Sequence, residues 1–141
     1  MYDKYLVTGA TGFLGRTVVE ELVHHDAQVR ALVLHNDPYI NLLPKEVHTI
    51  VGDVCDKNSL ADFFADADSR TCVIHCAGIV SVASRPSPKL YQVNVGGTWR
   101  ILRQCLAHEV GKLIHVSSVH AYRKNQRAAL SRKAVTSPQV L

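Results

Sequence analysis

Eight consecutive residues, Thr8-Gly9-Ala10-Thr11-Gly12-Phe13-Leu14-Gly15, are equipped to hold a diphosphate with main-chain atoms. They follow the apolar run Tyr5-Leu6-Val7 and open an amphipathic segment over residues 16–23. That strand, turn and helix order aims backbone N–H groups at one point. Each glycine has its own task. Gly9 lets the chain leave the strand in a tight turn, Gly12 lets phosphates approach with no Cβ between, and Gly15 lets the helix pack closely on the sheet. The N–H groups and positive dipole end of the helix then attract the anion. The spacing Gly-x-x-Gly-x-x-Gly is a variant of the commoner Gly-x-Gly-x-x-Gly. A glycine triplet by itself also occurs in plain loops, and the flanking strand and helix signals favour the phosphate site.

The elements that must position this turn alternate along the chain. Strand signals fall at 4–8, 29–34, 47–51, 71–77 and 112–117, and helix signals at 13–25, 57–65 and 89–108. The near-continuous apolar character of 71–77 suits a strand covered on both faces. Asn36-Asp37-Pro38 punctuates the chain after the second strand, and Ser87-Pro88 prepares the long helix. Gly96-Gly97 in its middle implies close approach of a backbone or ligand, because two glycines cost a helix interior about 2 kcal/mol against alanines. The expected fold is α/β, a doubly wound parallel sheet.

In such sheets ligands gather at the carboxyl ends of the strands. Besides the glycine turn, three ends carry notable residues. Asp53-Val54 follows the third strand, where the carboxylate can accept from an adenine amino group or cap the helix beginning near Asp56. Cys76-Ala77-Gly78 ends the fourth with small residues that admit a ribose, or that simply turn the chain. Ser117-Ser118 ends the fifth, placing hydroxyls where a carbonyl or alcohol substrate would meet a nicotinamide.

Composition narrows the class. The 141 residues are 47% hydrophobic and 20% charged, as in a soluble globular domain with a real core. No apolar run approaches a membrane span and no charged-then-apolar leader precedes Tyr5, so a cytoplasmic protein is expected. The four cysteines (Cys55, Cys72, Cys76, Cys105) lack metal or disulfide spacing, and the eight histidines show no zinc pattern, so no metal is expected. Residues 1–118 carry 11 Lys/Arg against 12 Asp/Glu, whereas 119–141 carry five Lys/Arg and no acid. The net charge of +4 therefore arises in the last segment, a solvated tail rather than a nucleic-acid site.

Five ordered motifs resemble the short-chain dehydrogenase/reductases: Thr8 to Gly15, Gly52-Asp53-Val54, His75-Cys76-Ala77-Gly78, Asn94-Val95-Gly96-Gly97-Thr98 and Val116-Ser117-Ser118. The first of them resembles the extended branch, the NAD-dependent epimerase/dehydratase relatives, and the resemblance as a whole covers about residues 4–122. The resemblance implies a Rossmann-type fold and a nicotinamide dinucleotide, NAD or NADP. It implies Gly9, Thr11, Gly12, Phe13 and Leu14 around the pyrophosphate, with Gly15 closing the motif, and Asp53 and Val54 at the adenine. It puts Cys76, Ala77 and Gly78 near the ribose, Asn94 and Ser117 beside the cofactor, and Ser118 on the substrate oxygen as catalytic residue.

Departures from that family bear on activity. Its general acid/base is a tyrosine with lysine four positions later, whose charge favours the phenolate. Four positions after Tyr2, Tyr5, Tyr39, Tyr91 and Tyr122 stand Leu6, Gly9, Leu43, Val95 and Gln126. The expectation is a cofactor-binding domain at 1–122, truncated after its fifth strand and catalytically incomplete, with a disordered basic tail at 123–141. A non-catalytic NAD(P)-binding module is the alternative. Small-molecule substrate enters only if a missing half is supplied, and the unpaired sheet edge predicts self-association. Trp99 is expected to pack. The positions that choose between NAD and NADP fall on Val33 and Leu34, which do neither job, and the missing carboxylate leans the expectation to NADP.

Overall fold

Alternate residues of the first strand bury opposite sides, and this alternation organises everything built on it. The structure, a computed structural model, describes residues 2–81 and 87–118. Strand β1 (Lys4–Thr8) pairs in parallel with β2 (Gln28–Val33) on one side and β4 (Thr71–His75) on the other. Strands β3 (His48–Val51) and β5 (Lys112–His115) complete a five-stranded sheet in the order β3-β2-β1-β4-β5. Helix α1 (Phe13–His24) covers one face, where Val19 joins a core that includes Val7, Val29, Ala31, Val33, Cys72 and Ile74. Helices α2 (Lys57–Phe64) and α4 (Thr98–Ala107) cover the other, joining Leu60, Phe63, Phe64, Ile101 and Cys105 to Leu6, Leu32 and Val73. Neighbouring strand residues thus serve two cores, as a period of two requires in a sheet buried on both faces. The expected doubly wound parallel sheet is the observed one.

Strand and helix ends fall within about two residues of their expected positions, and only the interior of the long helix differs. There α3 (Pro88–Tyr91) leads into a π-helical segment, Gln92–Gly97, and then into α4. A Cβ on Gly97 would stand 2.7 Å from Val54 Cγ2, so the expected close approach is that of the loop after β3. Trp99 corrects the sequence expectation: it is 59% exposed, on a solvent-facing stripe with Tyr91, Val95 and Leu106. A 3-10 turn at Ile40–Leu42, between β2 and β3, was not expected. Residues 119–141, including Tyr122 and the basic segment from Arg123, lie outside the described residues.

Strand register brings the functional loops to one level. Thr8 pairs with Leu32 and with His75, and Val33 pairs with Val51. Gly9, Leu34, Gly52 and Cys76 therefore leave the sheet along one edge. The strand order reverses between β1 and β4, where a crevice opens in folds of this kind.

Candidate functional site

Gly9 adopts φ +67°, a left-handed conformation that a Cβ disfavours, and a Cβ there would stand 2.7 Å from Ala77 N. The turn is thereby pressed against the end of β4. It closes with Gly12 N–H donating to Gly9 O at 3.1 Å. Gly15 is buried, and a Cβ on it would fall 2.0 Å from Gly9 O, so it holds helix and turn together as its spacing predicts.

Helix α1 starts without a side-chain cap, because its N-cap is Gly12, and its first turn carries no acid. The first backbone bond is Arg16 N–H to Gly12 O at 2.9 Å, so the amides of Phe13, Leu14 and Gly15 have no acceptor within the helix. A bare positive helix end beside a turn that excludes Cβ atoms fits a diphosphate. Phe13 is 92% exposed and Leu14 half-exposed.

A cleft of about 390 Å³ runs from this turn across the strand ends, lined by Gly9, Thr11, Gly12, Asp53, Val54, Cys76, Ala77 and Gly78 among others. A second, of about 460 Å³, continues past Cys76, Ala77, Gly78 and Ile79 to Asn94, His115, Ser117 and Ser118. The predicted residues are therefore gathered along one continuous depression, except Phe13, Leu14 and Gly15, which lie in α1 beside it, Phe13 lining the adjoining concavity. A concavity of about 470 Å³ at the opposite, amino ends of β1 and β2 is lined by Asp3, Asp26 and Asp68. Its three carboxylates suit a diphosphate poorly.

Asp53 does not cap α2. Asp56 does, accepting from Asn58 N–H at 2.9 Å, while Asp53 Oδ1 accepts from Cys55 N–H at 2.8 Å and the Asp53 N–H donates to Ser59 Oγ at 3.0 Å. Asp53 thus folds its own loop and brings Val54 to the cleft wall.

A relay of hydrogen bonds crosses the floor between the clefts, and the sequence did not announce it. Thr98 Oγ1 donates to Asn94 O at 2.8 Å, so it must accept from His75 Nε2–H at 2.9 Å. His75 Nδ1 then accepts from Thr8 Oγ1–H at 2.6 Å, and Thr8 Oγ1 accepts from Ala77 N–H at 3.2 Å. Every donor has one acceptor only when the imidazole is neutral. Burial, and secondarily the stacked His115 ring, holds the His75 pKa down at about 4, which agrees. Asn94 clamps the next loop through Oδ1, which accepts from Ile79 N–H at 2.7 Å, and Nδ2, which donates to Ile79 O at 2.9 Å.

Burial pushes the Cys76 thiol up, and Cys55 up with help from the Asp53 charge, so neither is poised as a thiolate nucleophile. Among the described residues no three His, Cys, Asp or Glu side chains group to hold a metal, and no helix is long and apolar enough to cross a membrane.

Comparison with known proteins agrees with this geometry. The family model for the NAD dependent epimerase/dehydratase family matches residues 5–139. The chain is 35% identical over 130 residues to human 3 beta-hydroxysteroid dehydrogenase type 7, covering 87% of the chain and 34% of that protein. It is 30% identical over 133 residues to sterol demethylase protein B of Methylococcus capsulatus, covering 94% and 40%. Among solved structures, UDP-glucose 4-epimerase of Thermus thermophilus in complex with NAD superposes with a TM-score of 0.69 at 31% identity, over 78% of this chain and 36% of that one. A short-chain dehydrogenase/reductase superfamily protein from Agrobacterium tumefaciens with bound NAD gives 0.66 at 29%, over 82% and 32%. The chain spans about a third of the length of these relatives. The expected lean to NADP finds no support among them.

Proposed function

The chain belongs to the NAD dependent epimerase/dehydratase family, and on that premise we propose that these residues form the coenzyme-binding part of an oxidoreductase or epimerase acting at a carbinol or carbonyl carbon. What carries the proposal is the glycine turn, where an uncapped helix start and a Cβ-free approach face a cleft at the sheet's switch point.

Backbone amides of Thr11, Phe13 and Leu14 would hold the diphosphate, and Val54 and Asp53 would border the adenine. Ala77 and Gly78 would admit the ribose of the nicotinamide half, with the Thr8–His75–Thr98 relay fixing the Ala77 amide. A bound nicotinamide supplies or accepts the hydride. Ser117 and Ser118 line the second cleft, where the Ser118 hydroxyl would orient a substrate oxygen.

A second reading rests on one sequence fact: no tyrosine here has a lysine four positions later. Without that pair no phenolate is stabilised for proton transfer, so these residues by themselves would bind coenzyme and not turn it over. Calorimetry with NADH, followed by turnover assays over a panel of ketones and nucleotide sugars, separates the two. Turnover abolished in Ser118→Ala supports the enzyme; binding without turnover supports the module; no heat with NADH removes both.

A further inference from the structure

Asp37 lines the same cleft as the glycine turn. Resting on the coenzyme reading above, we propose that Asp37 replaces the acid missing from the end of β2. Its carboxylate accepts from the adenosine ribose hydroxyl, and its charge excludes a 2′-phosphate, so the chain selects NAD over NADP.

The usual position is empty of chemistry. Val33 is buried, and Leu34, half-exposed, lines the cleft as a hydrocarbon. The backbone then reverses: Asn36 takes φ +57°, and the Asp37 N–H donates to Leu34 O at 3.2 Å. This hairpin returns Asp37 toward the glycine turn, where its Oδ2 accepts from Thr11 Oγ1 at 2.6 Å. Its Oδ1 accepts from Tyr39 N–H at 2.9 Å.

The carboxylate is thus held from two sides, by the phosphate turn and by its own loop, and it lines the same cleft as Gly9, Gly12, Leu32 and Leu34. A carboxylate has about four lone-pair sites, so two bonds leave acceptors for a ribose hydroxyl. The same geometry brings an anion against any phosphate on that hydroxyl.

Cations nearby do not cancel the charge. Among the described residues no ion pair engages Asp37. Arg30, on β2 itself, donates to Asp66 Oδ1 at 2.6 Å and to Phe63 O at 3.1 Å, which commits it to the α2 side of the sheet. Arg16 pairs with Glu20 at 3.6 Å and lines the adjoining concavity with Tyr39 and Leu42, and Lys89 lines the cleft from α3. These two are the groups that would favour a 2′-phosphate if Asp37 did not prevail.

The test is calorimetric titration of the chain, and of its Asp37→Asn and Asp37→Ala variants, with NADH and with NADPH. The unsubstituted chain should bind NADH about 30-fold more tightly than NADPH. Asp37→Asn, which keeps the shape and an acceptor, should bring NADPH to within about threefold of NADH. Asp37→Ala should do the same and also weaken NADH about fivefold, by loss of the ribose contact. Should either variant fail to fold by circular dichroism, competition on the unsubstituted chain decides: 2′,5′-ADP must displace NADH far less well than 5′-ADP. Equal affinities, a preference for NADPH, or a NADH/NADPH ratio unmoved by both substitutions overturns the proposal while leaving the coenzyme reading intact. No heat with either dinucleotide overturns that reading, and this one with it.

Discussion

Two glycines three residues apart should fail in opposite ways. A methyl added at Gly15 would sit 2.0 Å from Gly9 O, 2.7 Å from Gly9 C and 3.0 Å from Ala10 Cα, all backbone, so the turn itself must move. Overpacking of this kind costs about 1–3 kcal/mol, and the gain of about 1 kcal/mol in helix propensity does not offset a clash with main chain. With a net loss of about 2 kcal/mol, Gly15→Ala should lower Tm by roughly 10 °C. At Gly12 the backbone is ordinary (φ −72°, ψ 168°), and a methyl would meet only Gly9 O, at 3.3 Å.

Gly12→Ala should therefore keep Tm within about 5 °C, since an uncapping change of this size costs at most about 1 kcal/mol. The methyl would instead project toward the phosphate and weaken NADH binding about 10- to 100-fold. Differential scanning calorimetry and NADH titration on the same preparations check both halves. Parallel loss of stability and affinity in the two variants, or a Gly12→Ala protein that binds NADH like its parent, would refute the division of labour.

His75 is buried neutral with its pKa held near 4, so it lowers stability when the unfolded chain protonates below about 6.5. Stability should fall by about 2 kcal/mol between pH 7.5 and pH 5, and His75→Asn should flatten that slope in urea titrations; an unchanged slope would sink the assignment. Asp66 is held well below the usual carboxylate range by Arg30 first and then Lys4. Its contribution is present above about pH 4 and lost as pH falls, so the deficit of Asp66→Asn, about 1 kcal/mol or less at this exposed site, should close on acidification. The exposed stripe of Tyr91, Val95, Trp99 and Leu106, with Ile114 and Val116 on the β5 side, predicts concentration-dependent association. Sedimentation velocity should show it weakened in Trp99→Glu, and a monodisperse parent would contradict it.

What the sequence made legible is what local geometry dictates. Gly9 is required by its own left-handed φ and Gly15 by Gly9 O six residues before it, and the strand runs are required by alternate burial, so both could be read in order. Gly12, whose backbone tolerates a methyl, is legible only through the spacing of the motif. The π-helical segment could not, because the pressure on Gly97 comes from Val54, on another element. The type of Trp99 suggests packing, whereas its 59% exposure depends on what stands beside α4, which the sequence does not display. Asp37 is hidden from any rule of fixed spacing, which falls on Val33 and Leu34. The carboxylate reaches the site through a left-handed Asn36 and a partner 26 residues away, and the Asn36-Asp37-Pro38 turn was the available signal. The His75 relay escaped likewise, its partners Thr8 and Thr98 lying 67 and 23 residues distant.

On the proposed function, main-chain nitrogens of the glycine turn bind a dinucleotide diphosphate. Amide chemical shifts in a ¹⁵N-labelled chain titrated with NADH test it residue by residue. The largest changes should fall on Thr11, Gly12, Phe13 and Leu14, with smaller ones at Val54, Ala77 and Gly78. Shifts confined to Tyr2, Asp3, Asp26 and Asp68 at the opposite end of the sheet, or no shifts at all, would contradict it.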